Sequence, residues 1–196
     1  EIKAIARAYK QSIILGDETS NPLTVNGLNK QIERAEREGL QRTVDAAGQR
    51  LSLKLLDELL SLMKMGADVI VMNTKAYNEY KEILRQVGHS DSALLQMKNL
   101  GRPVLGFDGV PIIKNDYIPV ERNTITGDIT TTIYACILDE TEGVTGLYAG
   151  DNAGIQYKYL GEAQDKDAAR YRFKWYCGFT VMNPYAIGAI KNVKIG

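Results

Sequence analysis

Residues 67–73 read Ala67-Asp68-Val69-Ile70-Val71-Met72-Asn73, and this short apolar run decides the fold class. Its length and its β-branched residues predict a buried strand. A leucine-rich stripe over residues 51–63 predicts a helix before it. After it, Asn73 or Thr74 can cap a second helix, which Gly88 ends. A buried strand between two amphipathic helices is an α/β arrangement.

The second half of the chain changes to the two-residue period of strands. Asp108-Gly109 separates two apolar runs and predicts a hairpin, because Asp-Gly suits a tight turn that needs positive φ. Alternating residues predict strands at 129–137, from 155 onward and at 187–195, whereas 119–128 is predicted to be a polar loop. The predicted fold is therefore mixed, with α+β and α/β character around a largely antiparallel sheet.

The strongest strand pattern covers residues 170–182. Its odd positions are apolar or aromatic and its early even positions are basic: Tyr171, Phe173, Trp175, Cys177, Phe179 and Val181 against Arg170, Arg172 and Lys174. Since alternate residues of a strand point to opposite faces, the pattern predicts one buried face. Interleaved basic and aromatic residues are also typical of nucleic-acid platforms. Here the two types lie on opposite faces, and Asp165 and Asp167 offset the local charge.

The chain opens inside a helical pattern. Residues 1–15 predict an amphipathic helix, and residues 25–38 predict a short charged helix followed by a loop through Gly48. Because the helical pattern starts at Glu1, we expect a processed or truncated product.

The composition is that of a globular protein. Its 196 residues are 44% hydrophobic, and 24 Lys and Arg balance 24 Asp and Glu. One domain, or two interleaved subdomains, is expected at this length. A neutral chain creates no long-range field that would draw it onto nucleic acid or an anionic membrane. No apolar run approaches the ~20 residues that span a bilayer, and no signal peptide is visible.

The titratable residues form no convincing catalytic group. His89 lies beside Ser90 and Asp91 in a predicted turn, but the members of a catalytic triad have to converge from separate segments. A solvated histidine is therefore the preferred interpretation. Cys136 and Cys177 lack the spacing of metal ligands and are predicted to be buried thiols in a reducing compartment.

Two further clusters have ordinary explanations. Asp139, Glu140 and Glu142 could ligate a hard cation, but an acidic loop with no binding role is preferred. The glycines that follow match neither a phosphate loop nor a dinucleotide fingerprint and are interpreted as turn residues: Gly143, Gly146 and Gly150. We predict that the chain is not an enzyme and has no catalytic residue, metal site or cofactor.

Several segments, taken in chain order, carry a resemblance to a known family. They are residues 14–17 with 25–30, 51–59, 67–73 with the helix after it, 107–112, 130–135, 154–157 and 170–187. The ordered set resembles the major capsid proteins of tailed phages, which have the Hong Kong-type capsid fold, and it covers nearly the whole chain.

The resemblance implies two domains. Residues 23–150 and 183–196 would form an axial domain, which surrounds the fivefold and sixfold axes in this family. Residues 1–22 would be the end of a spine helix, and residues 151–182 would be strands of a partial peripheral domain. The N-terminal arm, the extended loop and most of the spine helix would precede Glu1 and be missing. The covalent crosslink of some members is not carried over, since its lysine would lie in that loop.

The implied function is structural. The protein would be the major capsid protein of a phage or prophage, assembled in the bacterial cytoplasm into pentamers and hexamers of an icosahedral virion head that encloses double-stranded DNA. Scaffolding, portal or decoration proteins would be partners, and Arg170, Arg172 and Lys174 could contact DNA phosphates. Three alternatives stay open: an encapsulin-like nanocompartment shell protein, a small α/β hydrolase using the acids near Asp139, and a single-stranded nucleic-acid binder using residues 170–176.

The candidates for ring contacts are the polar loops at 88–101 and 119–128 and the glycine-rich segment 143–154. Reversing both charges in Glu121→Lys/Arg122→Glu should therefore impair ring formation more than it lowers the melting temperature of the monomer. Native mass spectrometry and thermal denaturation measure the two effects. Equal effects on assembly and on melting would contradict the assignment of this segment.

Overall fold

The computed structural model describes residues 2–88, 94–96, 103–122, 127–149, 154–162, 164 and 166–195. Its helices are α1 (Ile2–Leu15), α2 (Leu28–Arg37), α3 (Leu53–Leu62) and α4 (Thr74–Val87), with a 3₁₀ turn at Pro184–Ala186. Its strands are β1 (Thr43–Asp45), β2 (Val69–Met72), β3 (Leu94–Gln96), β4 (Pro103–Phe107), β5 (Val110–Lys114), β6 (Val120–Arg122), β7 (Ile129–Cys136), β8 (Val144–Tyr148), β9 (Gln156–Glu162), β10 (Ala169–Lys174), β11 (Cys177–Val181) and β12 (Ile187–Lys194).

The helix–strand–helix unit forms as predicted. The Ser52 side chain caps α3 by accepting a hydrogen bond from the Leu55 backbone N–H at 3.3 Å. The Asn73 side chain caps α4 in the same way, from the Lys75 N–H at 2.9 Å. Gly88 ends α4 with a φ of 76°, a left-handed conformation that glycine adopts without strain.

Eight strands form one mixed sheet in the order β1-β12-β7-β2-β5-β4-β3, with β6 beside β7. β7 runs antiparallel to β12, β2 and β6, whereas β2·β5 and β1·β12 are parallel pairs. The predicted Asp-Gly hairpin joins β4 to β5. The expectation of a sheet that is largely antiparallel is therefore confirmed for this main sheet.

Helices cover the main sheet on both faces. α3 and α4 pack on one face, where Ile70 and Met72 of β2 and Ile133 of β7 are buried. The end of α1 and the whole of α2 pack on the other face, against Val69 of β2 and Tyr134 of β7. β2 is consequently apolar at every position, as expected of a strand that is covered on both sides.

Four strands lie where the sequence predicts loops. β1 falls in the loop predicted before Gly48, β3 in the polar loop at 88–101, β6 in the polar loop at 119–128, and β8 in the glycine-rich segment 143–154. β1, β3 and β6 are three-residue strands at the edge of the main sheet. Edge strands of this kind bury no continuous apolar face, so they show none of the hydrophobic alternation on which the prediction depended.

A short loop locks the end of α1 to the start of α2. The Gly27 N–H donates to the Gly16 carbonyl at 2.9 Å, and Lys30 forms an ion pair with Asp17 at 3.3 Å. A Cβ at Gly16 would collide with the carbonyl oxygen of Val25, and a Cβ at Gly27 would come within 2.7 Å of the Ile14 carbonyl. Both positions therefore require glycine for close backbone approach.

None of the helices among the described residues is long and apolar enough to cross a membrane.

Replacing Gly16 with alanine should destabilise the protein by about 1–3 kcal/mol, because the added methyl group forces the two loop ends apart. Chemical denaturation measures the change. Gly154→Ala is the matched control, since no atom lies within 4 Å of the position that its Cβ would take, and this variant should be as stable as the native protein. Similar stabilities for the two variants would show that the loop closure is not tight.

Candidate functional surfaces

The residues proposed for a catalytic relay, His89, Ser90 and Asp91, lie outside the described residues, as do Gly150 and Asp165. The two cysteines are unpaired. Burial raises the pKa of the Cys136 thiol to about 12, so it stays protonated at neutral pH. Cys177 is only half-buried, and its pKa is raised for the same reason, so the predicted burial of both thiols holds fully for Cys136 alone.

The acidic segment forms a self-contained turn between β7 and β8. The Asp139 carboxylate accepts hydrogen bonds from the Thr141 N–H at 2.7 Å, the Thr141 hydroxyl at 2.6 Å and the Glu142 N–H at 2.9 Å. The Thr141 hydroxyl is the main reason that the pKa of Asp139 is lowered. All three hydrogen bonds go to Oδ1, so this oxygen holds the turn together.

Gly143 closes this turn. A Cβ there would collide with the Asp139 backbone nitrogen, so Gly143 serves the turn, as predicted. The same prediction is wrong for Gly146, which lies within β8 opposite Phe179. Glu140 and Glu142 are exposed and form no ion pair with any described residue. Within the described part of the chain, no three His, Cys, Asp or Glu side chains are placed to hold a metal ion. We call residues 139–142 the acidic turn.

The run at 170–182 is not one strand, which corrects the prediction. It is divided into β10 and β11 at Trp175 and Tyr176. β11 pairs with β8 and β10 pairs with β9, both antiparallel and outside the eight-stranded sheet. β9 follows β8 along the chain, and β11 follows β10, so the pair β8·β11 continues into the pair β9·β10. We call these two strand pairs the ribbon.

The aromatic side of the ribbon is only partly buried, which corrects the prediction of a buried face. Tyr171 is exposed, whereas the other residues of the predicted face are half-buried: Phe173, Trp175, Cys177, Phe179 and Val181. Tyr157 stands opposite Phe173, and Tyr159 stands opposite Tyr171 with ring centroids 5.4 Å apart. The exposed fractions of Tyr157, Tyr159 and Tyr171 are 73%, 51% and 55%. The alternation of apolar and polar residues predicts an amphipathic ribbon. It does not predict whether the same chain covers the apolar side. Exposed aromatic patches of this kind are typical of protein interfaces.

The opposite side of the ribbon is basic. Lys158 stands across from Arg172, and Lys174 stands across from Gln156 on the same side. All three cationic side chains are exposed, and none forms an ion pair with a described acidic residue. Single-strand binding needs stacking rings and phosphate-binding cations along the same groove, and the ribbon separates them. We call these three residues the cationic strip.

Helix α1 holds the ribbon near its base. The Tyr9 hydroxyl donates to the Gly178 carbonyl of β11 at 2.7 Å, and its ring meets the Trp175 ring edge-on at 4.9 Å between centroids. This contact joins the N-terminal helix to residues 169 positions further along the chain.

The proposed ring-contact residues Glu121 and Arg122 lie on β6, both exposed at the rim of the main sheet. Most of the loop at 88–101 lies outside the described residues.

Arg42 is a buried cation that the sequence does not predict. Arg42 is 5% exposed, and it donates to the Leu62 carbonyl at the end of α3 at 3.0 Å. Its guanidinium carbon also lies 4.6 Å from the centre of the Tyr185 ring. No pattern in the sequence around Arg42 distinguishes it from the exposed arginines of α2, because its partners come from distant segments.

A family model described as "SrpI-like: Type 2A encapsulin shell protein SrpI-like" matches residues 36–196. No curated protein matches the sequence.

Solved shell proteins have the same fold. The holo-SrpI encapsulin complex from Synechococcus elongatus PCC 7942 superposes with a TM-score of 0.77 at 20% identity, over 98% of this chain and 63% of that chain. The capsid of the native GTA particle gives a TM-score of 0.60 at 18% identity, over 97% and 62%. The capsid of Myoviridae phage XM1 gives 0.57 at 15% identity, over 98% and 62%. The chain therefore has the Hong Kong-type capsid fold and spans less than two-thirds of each of these chains.

Tyr9→Phe should loosen the ribbon while leaving the main sheet intact, because it removes one hydrogen bond of about 0.5–1.5 kcal/mol at the ribbon base. Hydrogen exchange should become faster in β8 and β11 and stay unchanged in β2 and β7. Tyr159→Phe is the control, since this exposed tyrosine has no hydrogen bond to remove among the described residues. Equal exchange in the native protein and Tyr9→Phe would show that the ribbon does not depend on α1.

Proposed function

The chain belongs to the SrpI-like family of type 2A encapsulin shell proteins, and we propose from this premise that the intact protein forms a nanocompartment enclosing protein cargo. The observation that carries the proposal is the family match over residues 36–196. A capsid-type shell protein is a structural component, so the proposal requires no catalytic residue.

The phage head, expected first from the sequence, is the second candidate. The capsids of the GTA particle and phage XM1 support it, because they share the fold. The higher TM-score of the SrpI complex supports the encapsulin. A nanocompartment would be a cytoplasmic shell, whereas a head would be part of a virion and would need scaffolding, portal or decoration partners.

The described surfaces suit a shell of many identical copies. Shells and rings are built from heterologous contacts, in which two different patches of the same chain meet. The exposed aromatic side of the ribbon is a patch that association with other copies can bury. The equal numbers of positive and negative residues limit the repulsion between neighbouring copies.

We propose the two-domain division in modified form. The axial domain would contain the eight-stranded sheet, and the peripheral domain would contain most of α1 and the ribbon. Because β8 pairs with β11, the boundary expected after residue 150 fits better before Val144. Ile14 is buried in the core beside α2, so the last turn of α1 would belong to the axial domain.

The test is electron microscopy and mass measurement of the intact protein, expressed with its neighbouring genes. We expect closed shells of regular diameter that copurify with a second protein and contain no nuclease-protected DNA. Shells filled with protected DNA would establish the phage head instead. Monomers or dimers alone, with the partner genes present, would contradict both candidates.

DNA binding gives a second measurement of the same choice. For a nanocompartment, the variant Arg170→Ala/Arg172→Ala/Lys174→Ala should bind duplex DNA as weakly as the native protein at every salt concentration. The matched control is Lys3→Ala/Arg7→Ala/Lys10→Ala, which removes three charges from α1. Salt-dependent binding that only the ribbon variant loses would favour the phage head.

A further inference from the structure

The cationic strip and the acidic turn have complementary charges, and neither forms an ion pair within the described chain. The strip presents Lys158, Arg172 and Lys174 on one side of the ribbon. The turn presents Glu140 and Glu142, while Asp139 is occupied in holding the turn together. The ion pairs of the described residues all lie elsewhere, mostly on α2, α3 and β12.

The two surfaces lie at different positions along the ribbon of one copy. The acidic turn joins the base of the ribbon, where Gly143 accepts a hydrogen bond from the Met182 N–H at 3.0 Å. Lys174 lies seven residues before Val181, the last residue of β11. At ~3.3 Å per residue, a fully extended strand would place Lys174 at most about 23 Å from the base, and Arg172 and Lys158 lie further along the ribbon. No ion pair joins the strip to the turn within the described residues of one copy, and exposed charges more than ~8 Å apart are largely screened at physiological salt.

We propose that the cationic strip of one copy docks against the acidic turn of a neighbouring copy in the shell. The partner is a second copy of this chain, because it carries the complementary charges at the opposite end of the same ribbon. Each copy then gives its turn to one neighbour and its strip to the other. The contact is heterologous, which is the kind that closes into rings. This inference rests on the proposed shell function.

The turn is built to present its two free carboxylates in a fixed arrangement. Asp139 takes three hydrogen bonds from the turn itself, and Gly143 lets the backbone close behind it. Glu140 and Glu142 therefore project from an ordered backbone. The strip is equally ordered, since its residues are paired across β9 and β10. Two preordered surfaces lose little conformational freedom when they meet.

A charge-swap experiment on the intact protein tests the contact. Glu140→Lys/Glu142→Lys reverses the turn, and Lys158→Glu/Arg172→Glu/Lys174→Glu reverses the strip. Each variant should lower the yield of closed shells by about tenfold, and the chain carrying all five changes should recover to within about threefold of the native yield, because complementarity is restored. Mass photometry and electron microscopy measure the yield, and circular dichroism checks that each variant is folded.

A matched control separates this contact from a general effect of charge. Glu82→Lys/Asp116→Lys reverses two exposed carboxylates outside the turn that form no ion pair in the described chain, and it should assemble normally. Two results would overturn the inference and leave the shell function standing. Either the native protein forms shells and the variants with one reversed surface do so equally well, or the chain with all five substitutions does not recover. Failure of the native protein to form shells would overturn both.

Discussion

The burial of β7 and its neighbours β2 and β12 on both faces is the constraint on which the rest of the structure depends. Successive residues of β7 enter opposite cores, so Ile133 and Ala135 meet α3 and α4 while Tyr134 and Cys136 meet α1 and α2. Each pair of helices therefore has to supply an apolar stripe of its own. Arg42 is buried as well, and its guanidinium group contacts a helix-terminal carbonyl and an aromatic ring.

The β9·β10 part of the ribbon lies outside this layered core, which explains its exposed surface. The four helices of the described chain pack largely on the main sheet, whereas the ribbon contacts them near its base, through Tyr9 of α1 and through Phe179 and Val181 of β11. A two-stranded ribbon is marginally stable by itself. In the shell that we propose, neighbouring copies would supply the missing layer. The exposed tyrosines and the unpaired cations are the two features that such a layer requires.

The elements predicted correctly from the sequence are those that other parts of the same chain bury. Residues 51–88 alternate clearly between helical and strand periods because both faces of β2 and one face of each helix are buried in the same molecule. The ribbon was predicted to be amphipathic with one buried face, and the structure buries that face only in part: Phe179 and Val181 pack against the core, whereas Tyr171 is exposed. Periodicity shows that a strand has an apolar side but not whether the same chain covers it. The edge strands β1 and β6 and the Arg42 contact depend on distant partners and leave no local pattern. The acidic turn is recognisable from the sequence as a cluster of carboxylates. The cationic strip is not, because only the pairing of β9 with β10 places Lys158 beside Arg172.

The loop between Gly16 and Gly27 fixes the C-terminal end of α1 in the core. A helix of 14 residues is about 21 Å long at 1.5 Å per residue. Tyr9, near the middle of α1, donates a hydrogen bond to Gly178 of β11 in the ribbon. A tilt of α1 by about 10° around its C-terminal end would move Ile2 by roughly 4 Å and shift the ribbon that Tyr9 contacts. The angle of α1 would thus set the position of the ribbon relative to the main sheet, with no repacking of the sheet.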